Sequence, residues 1–64
     1  MTREEAIKQM HRGEKITHRY FSSDEWMTIE KGMFLLEDGI KVPFELFWKD
    51  RQGEGWEDGY EYYG

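Results

Sequence analysis

The chain has 64 residues, no cysteine, two histidines and a formal net charge of −5. That length holds one minimal domain over residues 1–64, and the missing thiols exclude disulfides and thiolate metal sites. The acidic balance argues against general binding to nucleic-acid backbones, which takes clustered Lys and Arg.

The acidity is unevenly placed. Residues 1–31 carry six basic and six acidic side chains, whereas residues 32–64 carry three basic and eight acidic ones and supply the whole net charge. An acidic half favours solubility and also suits contact with a basic protein. Aromatic residues make up 17% of the chain, with three Trp, four Tyr and four Phe. Large rings stabilise a small core that has no disulfide or metal, and they also favour interfaces and flat ligands. Met1 is followed by a charged helical pattern rather than an apolar leader, so no signal peptide is expected and a cytoplasmic setting fits. The uncharged run Met33-Phe34-Leu35-Leu36 is far too short to cross a membrane.

Thr2 and Glu5 have the spacing of a capping box, in which each side chain satisfies a backbone N–H at a helix start. Ala6, Ile7 and Met10 then recur at helical spacing, and Gly13 can take the left-handed conformation that ends the helix. Lys15 to Phe21 alternates as a strand, with Ile16, His18 and Tyr20 on one face and Thr17, Arg19 and Phe21 on the other. Ser22 to Glu25 reads as a turn. Trp26 to Lys31 and Met33 to Glu37 read as two strands reversed at Lys31-Gly32, and Asp38-Gly39 returns the chain again.

Ile40 and Val42 begin a short strand, and Pro43 suits the first position of a helix. Phe44, Phe47, Trp48 and Arg51 follow at helical spacing, which predicts a helix over 43–51 ending at Gly53; an aromatic strand is the alternative. After a loop over Gln52 to Gly55, Trp56 to Tyr63 reads as the last strand. The fold class is α+β: an N-terminal helix on a small antiparallel meander, with a short second helix before the last strand.

No phosphate-cradling glycine motif occurs, so no cofactor is expected. Ser22 and Ser23 lie near His18 but without a nucleophile elbow or an oxyanion loop. The abundant carboxylates show no spacing that would fix a pair around a substrate or complete a metal site. An enzyme is therefore not expected. The densest recognition chemistry is His18-Arg19-Tyr20-Phe21, since Arg grips phosphate bidentately and aromatic rings stack on nucleobases. The competing reading makes Tyr20 and Phe21 core, with Arg19 at the rim. Trp48 fits a core stripe, whereas Trp56 follows a Gly-rich loop and suits an interface or pocket. Arg51, at the end of the helical stripe, suits a salt bridge or an anion.

The order of these motifs carries a resemblance. A helix ends at Gly13-Glu14-Lys15, a strand with Arg and an aromatic runs from Ile16 to Phe21, and a meander leads to Gly55-Trp56-Glu57. This arrangement resembles the small phage-encoded proteins of the Thoeris anti-defence type, a family long known only as a domain of unknown function. Where that family carries Arg-x-x-Trp, this chain reads His18-Arg19-Tyr20-Phe21, with the Arg displaced by one position, and its middle is shorter.

The resemblance implies a homo-oligomer that sequesters a cyclic nucleotide or ADP-ribose-type immune signal without catalysis. On that reading Arg19 and Arg51 meet phosphate, Tyr20, Trp26 and Trp56 stack, and His18 hydrogen-bonds a ribose or phosphate. A rival reading is an acidic inhibitor of a basic host protein, of the anti-CRISPR or DNA-mimic type, working through Glu54, Glu57, Asp58 and Glu61. A structural virion component is the third.

Overall fold

A computed structural model describes residues 1–64. Helix α1 spans Arg3–His11, and its start forms because Thr2 Oγ1 accepts the Glu5 N–H at 3.2 Å while Glu5 Oε1 accepts the Thr2 N–H at 2.9 Å. The Glu5 carboxylate has its pKa lowered from the ordinary value, by the Thr2 backbone N–H first and the Thr2 hydroxyl second. The helix ends at Arg12, and Gly13 at φ +92° carries the chain into the sheet.

Five antiparallel strands follow: β1 Ile16–His18, β2 Met27–Glu30, β3 Met33–Leu36, β4 Lys41–Val42 and β5 Tyr60–Tyr62, in the spatial order β4-β3-β2-β1-β5. The first four strands form a meander. The fifth returns to the far side of β1, pairing Ile16 with Tyr62, Thr17 with Glu61 and His18 with Tyr60. Lys31 and Gly32, at φ +52° and +77°, make the β2–β3 reversal; positive φ at both central residues is what a two-residue hairpin turn demands. At the next reversal the Asp38 carboxylate accepts the Ile40 N–H at 3.0 Å and Gly39 sits at φ +86°.

Helix α2 spans Phe44–Lys49. Pro43 is its N-cap rather than its first helical residue: its backbone is extended at ψ 144°, and its carbonyl accepts the Phe47 N–H at 3.0 Å. The helix is shorter than the predicted 43–51, because the chain turns at Asp50 and reaches Gly53 at φ +110°. Trp56 is not in the last strand; it closes a 3₁₀ turn over Glu54–Trp56.

One core joins these elements. Ala6 and Met10 of α1 are buried with Ile16, Met27, Phe34, Phe47 and Tyr60. The register Tyr62–Ile16–Met27–Leu36 puts Ile16, Met27 and Leu36 on one face of the sheet. That face receives α1. The exposed area of 4419 Å² is close to the roughly 4,400 Å² that surface scaling gives a folded chain of this mass. Both edges of the sheet are short. β4 has two residues followed by Pro43, and the outward groups of Tyr60 on β5 are taken by Met1, whose ammonium donates to the Tyr60 carbonyl at 2.5 Å while the Tyr60 N–H donates back to the Met1 carbonyl at 3.2 Å. Short, covered edges resist pairing with other chains. No helix is long and apolar enough to cross a membrane.

Candidate functional site

β1 stops three residues earlier than its alternation predicts. After His18 the chain turns, and the Phe21 N–H donates to the His18 carbonyl at 2.9 Å. Tyr20 therefore leaves the pleat it was expected to share with Ile16 and His18. Tyr20 is 61% exposed, whereas His18 is 3% exposed.

His18 is fully engaged. Nε2 lies 2.8 Å from the Asp58 carbonyl, and Nδ1 accepts the Tyr20 N–H at 3.1 Å. A carbonyl needs a donor and an amide needs an acceptor, so these partners select the neutral Nε2–H imidazole. Burial holds the His18 pKa below the ordinary value, more than the Asp58 and Gly55 carbonyls beside it raise it. Trp56 stacks on the imidazole at 4.2 Å and 17°, and Tyr60 packs on it at 4.5 Å. The Tyr60 hydroxyl donates to the Trp56 carbonyl at 2.7 Å, and burial pushes that phenol up to about 12, so it stays a donor.

Around Trp56 the chain assembles a face from three distant segments. The Tyr20 ring meets Trp56 at 5.2 Å and Phe21 lies at 6.1 Å. The Arg51 guanidinium sits 4.2 Å over Phe47 and 5.8 Å from the Trp56 centroid, and it donates to the Phe47 carbonyl at 3.2 Å. Glycines shape the support beneath. A side chain at Gly55 would overlap the Tyr20 ring, and one at Gly59 would overlap the Arg19 guanidinium. Arg19 lies across Gly59 and pairs with Asp58. The only other ion pair is Lys41–Glu30, so Arg51 makes no direct ion pair, although its charge reaches the Glu25 carboxylate.

Four of the residues expected to recognise a ligand thus converge: His18, Tyr20, Arg51 and Trp56. Arg19 is adjacent but bound to Asp58. Trp26 lies apart, 6.3 Å from Tyr63 with the Lys15 ammonium 4.5 Å over its ring. It precedes core-facing Met27, and alternation along the chain turns it to the opposite side of the sheet. Neither does the acidic quartet form one surface. Glu54, Glu57 and Asp58 share the turn before β5, while Glu61 is the strand neighbour of buried Tyr60 and faces the other way.

Sequence reasoning missed Tyr60 as the floor of the site, and Gly55 and Gly59 as the positions that let Tyr20 and Arg19 lie flat. The Asp58-Gly59 pair was the available signal, being a turn dipeptide directly before an aromatic strand.

The face is not a cavity. The largest concavity, about 640 Å³, lies at the start of α1 between Thr2, Arg3, Glu4, Ile7, Glu57 and Asp58. With both ring nitrogens committed, His18 has no lone pair free to activate Ser22 or Ser23. Comparison with protein families, with curated proteins and with solved structures finds no match for this chain.

The direction of the His18 pKa sets a pH dependence of stability. The folded state disfavours the proton and the unfolded chain does not, so stability is full above the ordinary value of 6.5 and falls as pH drops below it. The slope contributed by this one group approaches, at most, about 1.4 kcal/mol per pH unit. Urea unfolding between pH 7.5 and 5.5 should show a falling midpoint in the native chain and a flatter profile in His18→Gln.

Proposed function

We propose that the protein acts by non-catalytic binding of a nucleotide-type small molecule on the face formed by Tyr20, Trp56 and Arg51. The observation that carries this reading is the exposed Tyr20 beside Trp56, with a guanidinium at the rim that makes no direct ion pair. A base can stack on such rings, and the free N–H groups of Arg51 can fork a phosphate. The anion contact falls to Arg51 rather than Arg19, since Arg19 would first have to leave Asp58. His18 holds the rings and does not touch the ligand. The resemblance to Thoeris anti-defence proteins narrows the ligand to a cyclic ADP-ribose-type signal, held by an oligomeric phage or mobile-element protein in the host cytoplasm.

Calorimetric titration of the full chain with cyclic ADP-ribose, ADP-ribose and AMP tests this. Tyr20→Ala and Arg51→Ala should each weaken binding about tenfold or more, the worth of one base stack or one charged fork. Tyr20→Ala should leave stability within about 0.5 kcal/mol, because the ring is exposed. No heat with any of the three nucleotides at millimolar concentration sinks the reading. One observation favours the acidic-inhibitor alternative: Glu57 and Asp58 join Glu4 along the largest groove. That alternative requires capture of a basic partner that is steeply weakened by salt and lost in Glu57→Gln/Asp58→Asn.

A further inference from the structure

We propose that His18 is the positioning residue of the aromatic face: as a neutral Nε2–H imidazole it locks the Tyr20 turn and the Trp56 ring together, and its protonation releases both. This rests on the binding reading only for its consequence, pH regulation of the same site.

The lock has three contacts, drawn from two distant segments. The Tyr20 N–H donates to Nδ1 at 3.1 Å, which fixes the turn that presents the Tyr20 ring. Nε2–H donates to the Asp58 carbonyl at 2.8 Å, which anchors the turn carrying Trp56. Trp56 lies on the imidazole at 4.2 Å, nearly parallel to it. One ring therefore joins the end of β1, the turn after it and the segment before β5, which lie about forty residues apart in sequence. A proton added to Nδ1 sets donor against donor at Tyr20 and leaves a buried cation.

The groups that favour the charge, the Asp58 and Gly55 carbonyls and the Asp58 carboxylate, do not outweigh the burial of the ring. On its own strand the next residue is Arg19, a like charge; Asp58 presents its carbonyl to the ring and its carboxylate to Arg19. The adjoining turn brings Tyr20, β5 brings Tyr60, whose phenol is committed to Trp56, and the end of α2 brings Arg51 across Trp56. The helix packed on this side of the sheet buries uncharged Ala6 and Met10. Protonation thus has one outlet, separation of the contacts themselves. Burial also lowers the His18 pKa, which keeps the lock closed at neutral pH.

The test uses the full chain, labelled with ¹⁵N and free of ligand, titrated by NMR from pH 7.5 to 5.0. At pH 7.5 the His18 nitrogens should report Nε2–H with an unprotonated Nδ1. On acidification the Tyr20 amide and the Trp56 indole should shift with the His18 ring at one shared midpoint, below the ordinary 6.5. Protection of the Tyr20 amide from exchange should fall on the order of fivefold, the worth of one buried hydrogen bond, while the Phe34 amide stays protected. His18→Asn, which keeps an acceptor at the Nδ1 position, should retain the Tyr20 amide shift and abolish the pH response. An Nδ1–H tautomer overturns the proposal. So does Tyr20 or Trp56 titrating independently of His18, or a pH response surviving in His18→Asn. If that variant does not fold, the titration of the native chain decides alone. Because no ligand takes part, this result stands or falls separately from nucleotide binding.

Discussion

Phe34→Ala is expected to leave the protein largely unfolded at room temperature or on its edge. Phe34 is 1% exposed on β3 and sits at the centre of an aromatic cluster, 4.7 Å from Phe44, 4.7 Å from Phe47 and 5.6 Å from Trp48. These three rings come from α2, so Phe34 is what the second helix packs on. Truncating a buried Phe to Ala typically costs about 3–5 kcal/mol, from lost transfer energy and the cavity left behind. A chain of this length has on the order of 3–10 kcal/mol in total, so the loss takes most of the stability. Leu46→Ala on the same helix is the control: Leu46 is 58% exposed and its truncation should cost about 0.5 kcal/mol or less. Urea unfolding followed by circular dichroism gives both values. A Phe34→Ala midpoint close to the native one would mean that α2 docks on something other than the Phe34 ring.

Gly59→Ala should cost about 1–3 kcal/mol, through two separable causes. Gly59 sits at φ +88°, where a Cβ is strained, and that Cβ would also overlap the Arg19 guanidinium. Its carbonyl accepts the Arg19 N–H at 3.1 Å, so a shift here disturbs the β1–β5 pairing that supports Trp56 and Tyr60. A double-mutant cycle separates the two causes. Arg19→Ala alone removes a half-exposed ion pair and should cost no more than about 1 kcal/mol. In that background Gly59→Ala should be less harmful than in the native chain, by the steric share, while the backbone share remains. Equal costs in both backgrounds would mean that Arg19 moves aside freely. Gly55→Ala provides the contrast, since Gly55 has no positive φ and the atoms nearest its Cβ belong to the Tyr20 ring. It should displace the exposed tyrosine while changing stability little.

Much of the fold could be read along the chain wherever its cause is local. The Thr2–Glu5 box, Gly13, Lys31-Gly32 and Asp38-Gly39 stand at the ends and turns they predict, because capping and positive φ involve residues only a few positions apart. Helix α2 was legible in the 3.6-residue recurrence of Phe44, Phe47 and Trp48, which point together at Phe34. The strand ends were less so. Alternation continues through Tyr20 and Phe21 in the sequence, yet the strand stops at His18, because its Nδ1 draws the Tyr20 N–H out of the ladder. The candidate site was legible as a set of residue types and not as an arrangement. His18 carried the same letter whether it was a ligand group or a buried brace. Two carbonyl and amide partners decided the second role.

The sequence by itself determined an α+β meander, the placing of its turns and an excess of rings and acid in a chain without thiols. These follow from backbone preference and hydrophobic period, which act over a few residues. The tertiary structure alone decided that β5 lies beside β1, that Arg19 spends its charge on Asp58 and that Arg51 does not. It also decided that Trp56, Tyr20 and His18 meet while Trp26 turns away. Those outcomes depend on contacts across about forty positions, whose partners are chosen by packing and desolvation once the sheet has closed.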